Sequence, residues 1–148
     1  MFKSKFKIFS STLCIIFAAM SFTPAHSANL SCNVQLEFDS NSKGSVANYV
    51  LSLQLKNTTG RSITGASIIY MDVKKKQLGN TLLRCSSNTD KLSEPVNPGS
   101  YGQCVSILQK VDGAFMNAFG SDKWTEIVNT QLAVLNGVAM CKVLGFAY

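Results

Sequence analysis

Apolar and polar residues alternate along much of the chain. Leu30, Cys32, Val34, Leu36 and Phe38 are apolar at every second position, separated by Ser31, Asn33, Gln35 and Glu37. A period of two puts successive side chains on opposite faces of a strand, so this stretch predicts a half-buried strand. Residues 39–44 are polar and form a turn. Tyr49, Leu51, Leu53 and Leu55 repeat the alternation in a second strand, which Asn57, Thr58, Thr59 and Gly60 bring to an end. Residues 63–73 are rich in β-branched and aromatic side chains and predict a third strand. Residues 77–85 give a fourth, shorter and more polar, and residues 101–108 a fifth. Residues 86–100 hold Pro95, Pro98 and Gly99 and read as a long loop.

Two signals compete near the C-terminus. Trp124, Ile127, Val128, Leu132 and Leu135 have helical spacing, with Ser121 or Asp122 as a cap. Against this, Leu135-Asn136-Gly137-Val138 carries the strongest short hairpin signal, because Asn-Gly accepts the positive φ angles of a type I′ turn. Giving the turn priority, residues 125–135 and 138–146 are expected to be paired strands. About seven short strands in roughly 120 residues predict an all-β fold, an immunoglobulin- or fibronectin III-like two-sheet sandwich.

The first 27 residues have a different character. Lys3, Lys5 and Lys7 precede an apolar run from Ile8 to about Phe22, centred on Leu13, Ile15, Ile16 and Phe17. Pro24, Ala25, His26, Ser27 and Ala28 follow, and the small residues Ala25 and Ser27 fit a signal-peptidase site with the cut after Ser27. The run is shorter than the ~20 residues that a membrane-spanning helix needs. Bulky Leu13 before Cys14 argues against a lipid anchor. The expected organisation is a cleaved signal over residues 1–27 and a single domain over residues 28–148, exported to the periplasm or beyond.

Removing the signal changes the charge and the chemistry. The whole chain carries a formal charge of +6, of which the three signal lysines are half. The mature domain keeps eleven basic and eight acidic residues, a net charge that serves solubility and makes no case for nucleic acid. His26 is the sole histidine and leaves with the signal. The mature chain then lacks the commonest general base, the Ser-His and Cys-His nucleophile pairs and imidazole metal ligands. No catalytic residues, cofactor or metal site are expected, and no membrane segment after cleavage.

Four cysteines remain: Cys32, Cys85, Cys104 and Cys141. An even count in an exported chain reads as a disulfide framework, and none of the close pairs that zinc favours is present. Four cysteines allow three pairings. First and last strands often run side by side, which favours Cys32–Cys141; Cys85 and Cys104 flank the Pro-containing loop and would close it.

One run of residues follows a known pattern. Lys56-Asn57-Thr58-Thr59-Gly60, then Ile63, Gly65, Ile68-Ile69-Tyr70-Met71-Asp72, Leu78 and Pro98-Gly99 resembles the FxLYD-type immunoglobulin-like domains of bacteria. The resemblance spans residues 51–108 and lacks the family's leading Phe. It implies a sandwich fold and an extracytoplasmic setting, and no chemistry. In architecture the domain also resembles secreted fibronectin-like mimics of interleukin receptors, which implies a virulence-associated binder of host cytokine receptors.

The remaining polar clusters read as solvated surface. Glu37 and Asp39 would share a strand face, as paired hydrolase carboxylates do, and Asp122 and Glu126 are spaced for one helical turn or one strand face. Both fit exposed strand or helix faces better. Lys74-Lys75-Lys76 reads as a turn rather than a basic contact patch. Asn57-Thr58-Thr59 is a formal glycosylation sequon. Residues 111–120 are apolar where a loop should be polar, so they are either an interface segment or a short helix capping the core. Phe115, Met116, Phe119 and Trp124 are the candidate interface residues, serving a protein partner such as a host receptor or a second copy, with Gly113 and Gly120 as hinges for a strand-swapped dimer. The expected function is a secreted or periplasmic non-catalytic protein-binding module; the alternative is a periplasmic inhibitor or immunity protein against a toxin or cell-wall hydrolase.

Overall fold

The computed structural model describes residues 29–87 and 94–148. Residues 1–27, read from the sequence as a signal, lie outside the described residues with Cys14 and His26, as does the centre of the 86–100 loop. Six strands and two helices follow one another: β1 (Asn29–Asn41), β2 (Gly44–Lys56), β3 (Gly65–Met71), β4 (Gln77–Ser86), β5 (Tyr101–Val111), α1 (Gly113–Phe119), α2 (Ser121–Leu135) and β6 (Met140–Ala147).

The strands form a closed antiparallel barrel in the order β1-β2-β5-β4-β3-β6, which corrects the expected two-sheet sandwich. A sandwich leaves its sheet edges unjoined, whereas here β1 pairs with β6 and β4 pairs with β5. The pairing is uneven. β2 runs along most of both β1 and β5, and β3 along most of both β4 and β6. The two three-stranded walls meet at two seams of three residue pairs each. One joins Asn29, Leu30 and Ser31 to Lys142, Cys141 and Met140; the other joins Arg84, Cys85 and Ser86 to Val105, Cys104 and Gln103.

A disulfide sits at each seam. Cys32–Cys141 links β1 to β6 with a Cα–Cα distance of 5.8 Å, and Cys85–Cys104 links directly opposed residues of β4 and β5 at 3.9 Å. Leu51, Leu53 and Leu55 of β2, Ile68 of β3, Leu83 of β4 and Val138 fill the interior around both cystines. Leu51, Leu53 and Leu55 are inward positions of the alternation read from the sequence, so burial drives β2 to its register.

The second correction concerns residues 125–135. They are helical, the last three turns of α2, and not a strand. Asn136 keeps helical angles, φ −62° and ψ −15°, and its N–H bonds to the Leu132 carbonyl at 2.8 Å. Asn-Gly therefore ends a helix instead of turning a hairpin. The apolar stripe at helical spacing has a surface to pack on, and that packing outweighs the local turn preference.

Two polar residues, Asn57 and Asp72, organise loops. Asn57 is fully buried; its Nδ2 donates to the carbonyls of Arg61 at 2.8 Å and Val96 at 2.7 Å, and its Oδ1 accepts from the N–H and hydroxyl of Thr59. An amide committed in this way cannot carry a glycan on the folded domain, so the sequon is a structural turn. Asp72 closes the lysine turn: its carboxylate accepts from the N–H groups of Lys74 and Lys76 at 2.8 and 2.9 Å while Lys75 takes a φ of 64°. All three lysines are exposed.

Candidate binding surface

β1 and β2 are thirteen residues long, and the barrel interior uses only part of them. Farther along, their inner face carries Val34, Leu36, Ala47 and Tyr49, and among the described residues no strand lies over it. The two helices do, forming a second apolar cluster in which Trp124 and Val128 of α2 and Phe115 and Met116 of α1 meet Ala47, Tyr49 and Val111. Residues 111–120 are thus the start of a helical cap, which accounts for their apolar character.

Specific contacts fix the cap. The buried Tyr49 hydroxyl donates to the Val128 carbonyl at 2.7 Å, tying α2 to β2. Burial raises the pKa of this phenol from its ordinary value of 10.0. Asp112 caps α1 by accepting from the Ala114 N–H at 2.8 Å, and Asn117 Nδ2 donates to the Lys43 carbonyl at 2.8 Å. Gly113 is buried against the β1–β2 turn, where a Cβ would lie 2.4 Å from the Ser45 carbonyl oxygen. It is a close-packing glycine. Gly120, with φ 88°, reverses the chain between the helices.

The four candidate interface residues fall into different environments. Trp124 is 8% exposed, Phe115 and Met116 are half-buried, and Phe119 is 64% exposed. Phe119 stacks on Phe115 with ring centroids 4.5 Å apart, so an exposed ring is held on a partly buried one. Phe38, which the alternation places among the inward residues, is 63% exposed, its ring centroid 6.1 Å from that of Trp124. The cap touches its ring without covering it. The sequence signal for this residue is its place as the last apolar position before the polar turn. Two buried polar atoms, Asn48 Oδ1 and Trp124 Nε1, have no hydrogen-bond partner among the described residues.

The other candidates stay apart. Glu37 and Asp39 are exposed on β1; Asp39 accepts from the Ser40 N–H at 2.7 Å. Asp122 lies in the first turn of α2, and Glu126 pairs with Lys123 at 2.7 Å on its exposed face. Among the described residues, no group of three or more His, Cys, Asp or Glu is placed to hold a metal ion, and no helix is long and apolar enough to cross a membrane.

The molecule is a disulfide-closed antiparallel barrel with a helical cap at one end. No protein-family model, curated protein or solved structure matches the chain. The two disulfides point to an oxidising setting, periplasmic or extracellular.

Proposed function

We propose that this is an exported, non-catalytic protein-binding module that uses the capped end of the barrel, with residues 1–27 as the cleaved signal. The observation that carries the reading is the pair of exposed phenylalanines at that end. Phe38 and Phe119 stand out to solvent, each against an aromatic ring of the cap, Trp124 or Phe115. Aromatic side chains are enriched at the centres of protein interfaces, and a ring already held in place loses little freedom on binding.

The test compares two double variants as labelled mature domains titrated against extracytoplasmic and cell-surface protein fractions. Phe38→Ser with Phe119→Ser should abolish saturable binding and leave thermal unfolding nearly unchanged. Leu82→Ser with Leu144→Ser changes exposed residues on the β4-β3-β6 wall and should leave binding intact. Binding that survives the first pair and is lost with the second overturns the proposal.

A further inference from the structure

We propose that the free edge of β1 at residues 34–38 receives an extended segment of the protein partner, one that alternates apolar with basic side chains. This deepens the reading of the capped end as a protein-binding surface and rests on it.

The edge is open for a geometric reason. β1 pairs with β2 from Cys32 to Asn41 along one side. On its other side it pairs with β6 only at Asn29, Leu30 and Ser31, after which the Cys32 N–H donates to the Ala139 carbonyl at 3.3 Å. Backbone groups alternate in direction along a strand, so Val34, Leu36 and Phe38 also turn their N–H and C=O away from β2. Among the described residues no strand pairs with them. The next N–H on that side, of Ser40, is taken by the Asp39 carboxylate, which ends the open stretch. An unpaired row of this kind is a template for strand addition.

The side chains state what kind of strand fits. Glu37 and Asp39 flank the edge on the outer face, and neither forms an ion pair among the described residues. Their partners on β2 are Asn48 and Val46, so no cation faces them there. Opposite charges on neighbouring strands stabilise pairing and like charges oppose it, which selects basic residues on the outer face of the incoming segment. On the other face, half-buried Leu36 and exposed Phe38, the latter close to Trp124, select apolar ones. A second copy fits poorly, since it would bring its own acidic row to the same side.

The probes are two labelled heptapeptides, Arg-Val-Arg-Val-Arg-Val-Arg and its counterpart with Glu for Arg, titrated into the mature domain. The arginine peptide should bind about tenfold more tightly than the glutamate one, and Glu37→Lys with Asp39→Lys should invert that order. Phe38→Pro removes an outward N–H without touching the β2 ladder, so it should weaken binding about tenfold, while Phe38→Val, which keeps the N–H, should retain most of it. Should Phe38→Pro fail to fold, the charge reversal decides alone. Equal affinity for both peptides, no binding to either, or a wild-type dimer that Phe38→Pro dissolves overturns the inference. Retained saturable partner binding alongside any of these results sinks the strand edge only; its loss on changing Phe119 is a separate readout and bears on the binding surface itself.

Discussion

Tyr49 fastens a helix to a strand through one buried hydroxyl. Its donation to the Val128 carbonyl spans 79 positions of sequence. Tyr49→Phe should lower the unfolding free energy by about 1–2 kcal/mol, measured by urea denaturation, since it leaves the carbonyl with one partner fewer. The phenol also predicts a pH dependence. Its folded pKa lies above the unfolded value near 10.0 because burial disfavours the charged form. As pH rises past that value the unfolded chain loses the proton first, so stability is full below it and falls through the interval up to the raised folded pKa. Tyr49→Phe should flatten that fall; an unchanged alkaline slope would contradict the account. At this scale the sequence was legible where alternation governs: Leu51, Leu53 and Leu55 point inward as read. Phe38 follows the same pattern and is exposed, because its burial depends on how far the cap reaches, which no local pattern encodes.

Each seam of the barrel is three residue pairs and a cystine, so the disulfides act on the elements with the least pairing. Their loops differ in length, 109 against 19 residues of separation. In the chain-entropy picture, Cys32→Ala with Cys141→Ala should cost about 4–5 kcal/mol and Cys85→Ala with Cys104→Ala about 3, read from urea midpoints of the two double variants. Equal losses would contradict this ordering. The cap gives a sharper contrast. Phe115→Ser removes a half-buried ring and should cost about 1–3 kcal/mol, whereas exposed Phe119→Ser should stay within about 0.5 kcal/mol. The element scale also explains why the sequence pattern alone does not specify α2. Asn136-Gly137 serves a type I′ turn or a helix end equally well, and the choice is made by Ala47, Tyr49 and Val111, which give the stripe at Trp124 and Val128 a surface to cover. That surface is assembled by strands distant in sequence.

Closure is a property of the whole molecule. Alternating strands with frequent turns describe a sandwich and a barrel equally, since both need one inward face per strand. What separates them here is pairing at two short seams, and the cysteines are the only residues whose types mark those places. The barrel with its cap leaves two phenylalanine rings, Phe38 and Phe119, in solvent at the capped end, and that end is the central functional claim. The direct measurement places a photoreactive benzoylphenylalanine at one position at a time, Phe38 or Phe119 at the capped end and Leu82 or Leu144 on the β4-β3-β6 wall, and irradiates the mature domain with extracytoplasmic and cell-surface proteins. The account predicts one discrete covalent adduct from Phe38 and Phe119 and none from Leu82 and Leu144; adducts from the wall positions, with none from the capped end, would contradict it.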